Sequence, residues 1–257
     1  MKLAKDQIAR QFSRAAQSYD LAAQLQHEMA AELIRSVPAA LTGTLVDLGC
    51  GTGWALRKLA QTNRFELTAI DIAPGMIEVA KSHVPSARFH CCDLEETPLE
   101  SNYADVVFSN AAIQWCNTDE AIGEMYRICK PLGSIVCSTF GPTTLAEVRS
   151  AWFATGDETA RVNQFESKES LESVLKHVGF ASAEIASVER KLTFDSVDSL
   201  LLAIKQMGAT NASASRPTGL MGTKLFQEFR NVFERRISRD GQLELTFECI
   251  FVLANKE

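Results

Sequence analysis

Asp47-Leu48-Gly49-Cys50-Gly51-Thr52-Gly53 is the stretch whose residue types most plainly serve chemistry. Glycine at every second position lets the backbone turn sharply and approach a ligand in dihedrals closed to other residues. An acid stands at the head of the loop. Asp71 follows about twenty residues on, where an acid ending the next strand holds a pair of ribose hydroxyls. Asp93 ends a third apolar segment, where a carboxylate can accept from an exocyclic amine such as that of adenine. Any one of these acids would also suit a helix cap or a turn. Their joint placement is what points to a ligand.

The spacing also weighs against a nicotinamide dehydrogenase, which stays a third alternative, and it excludes a P-loop. A dinucleotide fingerprint needs G-x-G-x-x-G, and its third glycine position is Trp54 here, too large for a close helix–strand contact. No Gly-Lys-Ser/Thr follows, so the loop is not a P-loop.

Elements must bring these residues together. Apolar runs predict strands over 44–48, 65–70, 87–90, 104–109 and 134–140. Between them lie helices over 54–60, from Pro74-Gly75 through Ala80, and over 119–129, the last stopped by Pro131 and Gly133. Such alternation builds a mostly parallel sheet with helices on both faces, whose ligands sit at the carboxyl ends of the strands. Asp47, Asp71, Asp93 and Ser109 all fall there. Before the sheet, Ile8, Phe12, Ala15, Ala16, Tyr19, Ala23, Leu25, Met29, Leu33 and Ile34 keep helical spacing up to Pro38 and Gly43. After it come a helix over 167–178 (Ser167 its cap, Gly179 its stop), a strand over 183–194 and a helix over 197–207. A loop over 208–217, an amphipathic helix from Leu225 to Ile237 and a final alternating strand over 243–253 complete the chain. The expectation is an α/β, Rossmann-like domain with seven strands. It would have N-terminal helices as a lid (1–42), a cofactor half (43–140) and a substrate-side half (141–257), with a helical cap at about 195–240 before the last strand.

Composition narrows the class. The 257 residues are 46% hydrophobic and 23% charged, as in globular proteins, and the net charge of -6 argues against nucleic acid as partner. No apolar run reaches membrane-spanning length, and no h-region follows the charged first residues. Seven cysteines without a CxxC pair suit reduced thiols in the cytoplasm, and neither a disulfide framework nor a metal site.

The glycine loop with Asp71 and Asp93 resembles class I S-adenosylmethionine-dependent methyltransferases over residues 44 to 140. The resemblance implies that Asp47, Gly49, Cys50, Gly51 and Gly53 meet the methionine end of the cofactor. It implies that Asp71 takes the ribose, and that Ile72 and Met76 pack on adenine. Asp93 with Leu94 reaches the adenine amine, and Asn110 and Ala111 flank the sulfonium. Outside the sheet, Phe12 to Asp20, Ala23-Gln24-Leu25-Gln26, Ser109 to Trp115, Phe140-Gly141-Pro142-Thr143-Thr144-Leu145 and Lys205 to Arg216 resemble the family of malonyl-[acyl-carrier protein] O-methyltransferases of biotin synthesis. That implies methyl transfer to the free carboxylate of a malonyl thioester, carried by acyl-carrier protein or coenzyme A.

A carboxylic acid is already an anion at pH 7, so it needs no general base. None of the four histidines has an evident acidic partner in the sequence. The site needs a positioned cation instead, for which Arg216 is the first candidate and Lys205 the second. Tyr19 and Gln114 could donate hydrogen bonds, and Trp115 could wall the pocket. The resemblance implies an acidic carrier protein, so a basic face is expected on Lys2, Lys5, Arg10 and Arg14 or on Lys224, Arg230, Arg235, Arg236 and Arg239. Another small-molecule methyltransferase fits the sheet motifs equally well. A non-catalytic cofactor-binding regulator also stays open, as does the oligomeric state.

Overall fold

Leu45, Val46, Asp47 and Leu48 are all buried, the mark of a parallel strand covered on both sides. The structure, a computed structural model, describes residues 5–156, 163–206, 223–235 and 242–257. Arg216, Arg236, Arg239 and Lys2 lie outside the described residues, as do the side chains of Lys205 and Lys224. The described order begins with α1 (Lys5–Ala15), α2 (Tyr19–Ala22), α3 (Gln24–Ser36), β1 (Gly43–Leu48) and α4 (Trp54–Ala60). It continues with β2 (Phe65–Asp71), α5 (Pro74–His83), β3 (Arg88–Cys91), β4 (Ala104–Asn110), a 3-10 turn (Ile113–Trp115) and α6 (Thr118–Ile128). Then come β5 (Cys129–Phe140), α7 (Ala146–Phe153), α8 (Lys168–Val178), β6 (Ser182–Phe194), α9 (Val197–Gln206), α10 (Thr223–Glu234) and β7 (Leu243–Asn255).

The seven strands form one sheet in the order β3-β2-β1-β4-β5-β7-β6. The first five are mutually parallel, and β7 runs antiparallel to both its neighbours. The chain winds outward in opposite directions from β1 and β4, so a crevice opens between their carboxyl ends. Side chains alternate faces along each strand. Leu45, Val106, Phe108 and Val136 pack with α3, α4 and α5 on one face. Val46, Val107 and Ile135 pack with α6 and α8 on the other.

Helix ends follow their caps. Asn117 accepts from the backbone of Asp119 and Glu120 to start α6. Ser167 accepts from Ser170 N to start α8, and Gly179, at φ 114°, ends it, both as expected.

The expected N-terminal helices number three among the described residues, because the chain turns at Ser18 and again at Ala23. Two expectations are corrected. β5 begins at Cys129, five residues before the predicted Ser134. Pro131 and Gly133 interrupt it as an outward loop, so the register jumps from Ala104↔Cys129 to Val106↔Ser134. Helix α7 has no counterpart in the sequence reading, since Leu145, left-handed at φ 58°, starts it without a side-chain cap. Among the described residues no helix is long and apolar enough to cross a membrane.

Candidate active site

β1 ends at Leu48 and the glycine loop turns back over the strand ends, Gly49 N and Cys50 N both donating to Ile70 O. Gly49 and Gly51 take φ of 75° and 54°, where glycine alone is unstrained. A Cβ on Gly49 would stand 2.3 Å from Ala112 Cβ, whereas one on Gly51 would meet nothing within 4 Å. So Gly49 allows packing, and Gly51 leaves open space for a ligand.

That space is a run of three cavities sharing wall residues. The first, about 650 Å³, is lined by Gly49, Gly51, Asp71, Ile72, Met76, Asp93, Leu94, Asn110, Ala111 and Trp115, with Lys5, Phe12 and Tyr19 from the N-terminal helices. The second, about 420 Å³, continues along the loop past Asp47, Cys50, Tyr19, Gln26 and Asn110. The third, about 310 Å³ and mostly apolar, lies between Gln26, Gln114, Trp115, Phe140, Phe165 and Phe247. Eleven of the twelve cofactor candidates thus meet in two adjoining cavities, together with Tyr19 and Trp115. Gly53 lines neither; it packs against Ala80 on α5. Trp54, at the start of α4, lines the second cavity and stacks on His27 of α3 at 4.5 Å between ring centroids.

Each acid has its own setting. Asp71 accepts from Gly51 N (2.9 Å) and Ala73 N (2.8 Å), fixing the loop against the start of α5. Burial pushes its carboxyl up to about 6 against those two hydrogen bonds. Asp47 is buried, and its Oδ2 has no hydrogen-bond partner among the described residues. Burial, with the Asp71 charge added, pushes it up to about 8. Gln26 Oε1 is a second buried acceptor without a partner on the same cavity.

Two unpartnered acceptors on one cavity wall suit a cation with several donors, such as the ammonium of the methionine end of S-adenosylmethionine. Apolar Ile72, Met76 and Leu94 beside the carboxylates of Asp71 and Asp93 suit a purine riboside. The residues present therefore fit that cofactor. Burial, then the nearby Asp71 and Asp47 charges, push the Cys50 thiol well up, so it is an inert part of the loop.

The bend after β4 is tightly held. Asn110 Nδ2 donates to Gln26 O and its Oδ1 accepts from Ser138 Oγ. Ala111, at φ 49°, donates from its N to Ser138. Gln114 is already engaged: Nε2 donates to Ala111 O (2.6 Å) and Oε1 accepts from Thr139 Oγ1 (3.3 Å). It braces the bend. Tyr19 remains on the cavity wall, and burial beside Asp71 and Asp20 raises its hydroxyl further, which keeps it a neutral donor.

Sequence reasoning missed three features. Lys5 Nζ sits among Asp93 (3.1 Å), Glu95 (2.6 Å) and Cys116 Sγ (3.6 Å), tying α1 to the segment that follows β3. These three side chains could together hold a metal ion, and the Lys5 ammonium occupies their centre. His27 pairs with Asp20 at 3.2 Å, a His–Asp pair not evident in the sequence; the same carboxyl oxygen accepts from Thr52 Oγ1, so the pair ties α2 and α3 to the glycine loop. Finally, the Phe140-to-Leu145 segment is a joint: Thr143 N and Oγ1 donate to Glu248, and Glu147 accepts from Thr246 on β7. Two members of the expected basic faces are paired with acids among the described residues. Lys5 is consumed by its acids, and Arg230 by Asp198.

The family model described as a methyltransferase domain matches residues 46–137. The malonyl-[acyl-carrier protein] O-methyltransferase of Laribacter hongkongensis is 35% identical over an alignment covering 96% of this chain and 88% of that protein. The biotin biosynthesis bifunctional protein BioHC of Cellvibrio japonicus is 34% identical over 98% of this chain, which spans half of that longer protein. Among solved structures, the YcgJ protein of Bacillus subtilis shares the fold, with a TM-score of 0.64 at 15% identity over 90% of this chain and 99% of that one. A glycine-loop crevice at the sheet's switch point and this likeness along nearly the whole length agree: the chain belongs to the malonyl-[acyl-carrier protein] O-methyltransferase family.

Proposed function

We propose that the chain transfers the methyl group of S-adenosylmethionine to the free carboxylate of malonyl-acyl-carrier protein, giving the methyl ester that enters biotin synthesis. The observation that carries this is an apolar cavity sharing Trp115 and Gln26 with the two cofactor-shaped cavities. The acceptor would lie there, beside the sulfonium end and away from bulk water.

Asp71 would hold the ribose hydroxyls, and Asp93 with Leu94 the adenine amine. Ile72 and Met76 would flank the purine ring, Asp47 would face the ammonium, and Asn110 and Ala111 would flank the sulfonium. When bound, the cofactor supplies an electrophilic methyl group activated by its own positive charge. The protein's part is to align the acceptor in line with the breaking bond and to strip water from its carboxylate. No proton moves, because the acceptor enters as an anion. Tyr19 serves as a neutral hydrogen-bond donor. Arg216, with Lys205 second, supplies the counter-charge from the cap. The N-terminal helices act as a lid, held down by Lys5 at one end and by Asp20 with Thr52 at the other. Seven unpaired cysteines accord with a reducing cytoplasmic setting.

The test is transfer of a labelled methyl group to malonyl-, succinyl- and acetyl-carrier proteins and to malonyl-coenzyme A. Labelling of malonyl carriers alone supports the reading. Labelling of none, with cofactor bound, moves the chain's acceptor to another carboxylate or nucleophile.

A further inference from the structure

Gln26 belongs to the first turn of α3, yet it is only 6% exposed and faces inward. Its backbone carbonyl is fixed by Asn110 Nδ2 at 3.0 Å, so the residue is anchored to the carboxyl end of β4. Its side-chain Oε1 is buried without a partner. Leaving a buried amide unsatisfied costs stability, so such a group is best explained by a ligand that completes it.

Its position says which ligands. Among the described residues Gln26 is the one common to the linings of the glycine-loop cavity, shared with Asp47, and the apolar cavity, shared with Trp115 and Phe140. An amide offers two unlike ends, a carbonyl acceptor and an NH2 donor. Gln114, the other amide near the bend, has both ends occupied by Ala111 and Thr139.

We propose that Gln26 is a shared binding group: its carbonyl accepts from the cofactor's ammonium beside Asp47, and its Nε2 thereby faces the apolar cavity and donates to the acceptor's carboxylate. The second half rests on the carboxylate acceptor proposed above. Cofactor binding then orients the amide for the acceptor, which makes the cofactor the favoured first ligand.

The experiment uses the full chain and two variants. Calorimetry with S-adenosylhomocysteine reads the cofactor half without turnover. Steady-state KM for malonyl-carrier protein, beside the inhibition constant of acetyl-carrier protein, which lacks the carboxylate, reads the other half. Gln26→Leu is expected to raise both the Kd for S-adenosylhomocysteine and the malonyl KM about tenfold, with the acetyl constant unmoved. Gln26→Glu, read at pH 8.5, keeps an acceptor and loses the donor. Its Kd should stay within about threefold of the unchanged protein while its malonyl KM rises about tenfold or more. An unchanged Kd and KM in Gln26→Leu would overturn the proposal. So would malonyl and acetyl constants rising together, the pattern of lost packing. If the unchanged protein binds S-adenosylhomocysteine and methylates no malonyl thioester, the acceptor assignment fails and takes the Nε2 half with it. The carbonyl half then stands or falls on the calorimetry alone.

Discussion

Adding one methyl group at Gly49 and at Gly51 should give opposite phenotypes from positions two residues apart. Both carry positive φ, so alanine at either costs about 1–2 kcal/mol of backbone strain, partly offset by about 0.4–1 kcal/mol from a stiffer unfolded chain. At Gly51 nothing lies within 4 Å of the new Cβ, so the fold loses little else. At Gly49 the new Cβ stands 2.3 Å from Ala112 Cβ, well inside carbon–carbon contact, at the buried turn after β4. Overpacking of that kind costs about 1–3 kcal/mol more. With roughly 2–4 °C of Tm per kcal/mol in a domain this size, Gly49→Ala should melt roughly 5–15 °C lower and Gly51→Ala within a few degrees. Gly51 lines both cofactor cavities, so its Cβ projects where the ligand goes. A comparable overlap there, about 1–3 kcal/mol, weakens S-adenosylhomocysteine about 10- to 100-fold. Thermal denaturation by circular dichroism and calorimetric titration read the two effects separately. A Gly51→Ala protein that binds as the unchanged one does, or a Gly49→Ala protein that melts with it, would refute this account of the loop.

Other consequences can be checked alongside. Burial and Asp71 hold Asp47 at about 8, above its unfolded value, so its contribution to stability is complete at acid pH and is lost as pH rises through 8. An ammonium favours the ionised form, so cofactor binding should release a proton near pH 7, and affinity should fall about tenfold per unit below it; Asp47→Asn, titrated in buffers of different ionisation enthalpy, should abolish the release. Glu248→Ala removes the acceptor for Thr143 N, Thr143 Oγ1 and Ser187 Oγ, and should lower stability by about 1–3 kcal/mol in denaturant titrations while leaving the Kd for the cofactor unchanged. Lys5→Met should expose α1 to trypsin at Arg10 and Arg14, with only a small loss in Tm, since part-exposed ion pairs contribute about 1 kcal/mol or less. Arg216→Ala should raise KM for the malonyl thioester far more than the Kd for the cofactor; equal effects on both would remove Arg216 from the acceptor site.

The parallel half of the sheet was legible because β1 to β4 are short apolar runs with an acid or a polar residue at or near their carboxyl ends. Asp47, Asp71 and Asp93 could be placed along one edge of the sheet from spacing alone, because the strand–helix alternation fixes which ends share an edge. What escaped was long-range or locally disguised. Lys5 meets Asp93 across 88 residues, and no local pattern encodes that. Gln26 breaks an apolar helical stripe and so reads as an ordinary surface position, although α3 turns it inward. The Asp20–His27 pair spans the turn at Ala23, which helical apolar spacing does not mark. Pro131 and Gly133 were read as ending a helix, and they do disrupt regular pairing. The strand nevertheless resumes its ladder around them, because Leu132 N and Lys256 N bond across to the chain's last strand and to Gly133. Gln114 looked available in the sequence and proved to be committed to Ala111 and Thr139.

The central claim is that the acceptor atom is a carboxylate oxygen, and the chemical nature of the product bond tests it most directly. Malonyl-carrier protein labelled from methyl-tritiated S-adenosylmethionine should release its label as methanol on mild alkaline hydrolysis, with the thioester-linked chain recovered as malonate. Label that survives alkali, on carbon, nitrogen or sulfur, would contradict the account.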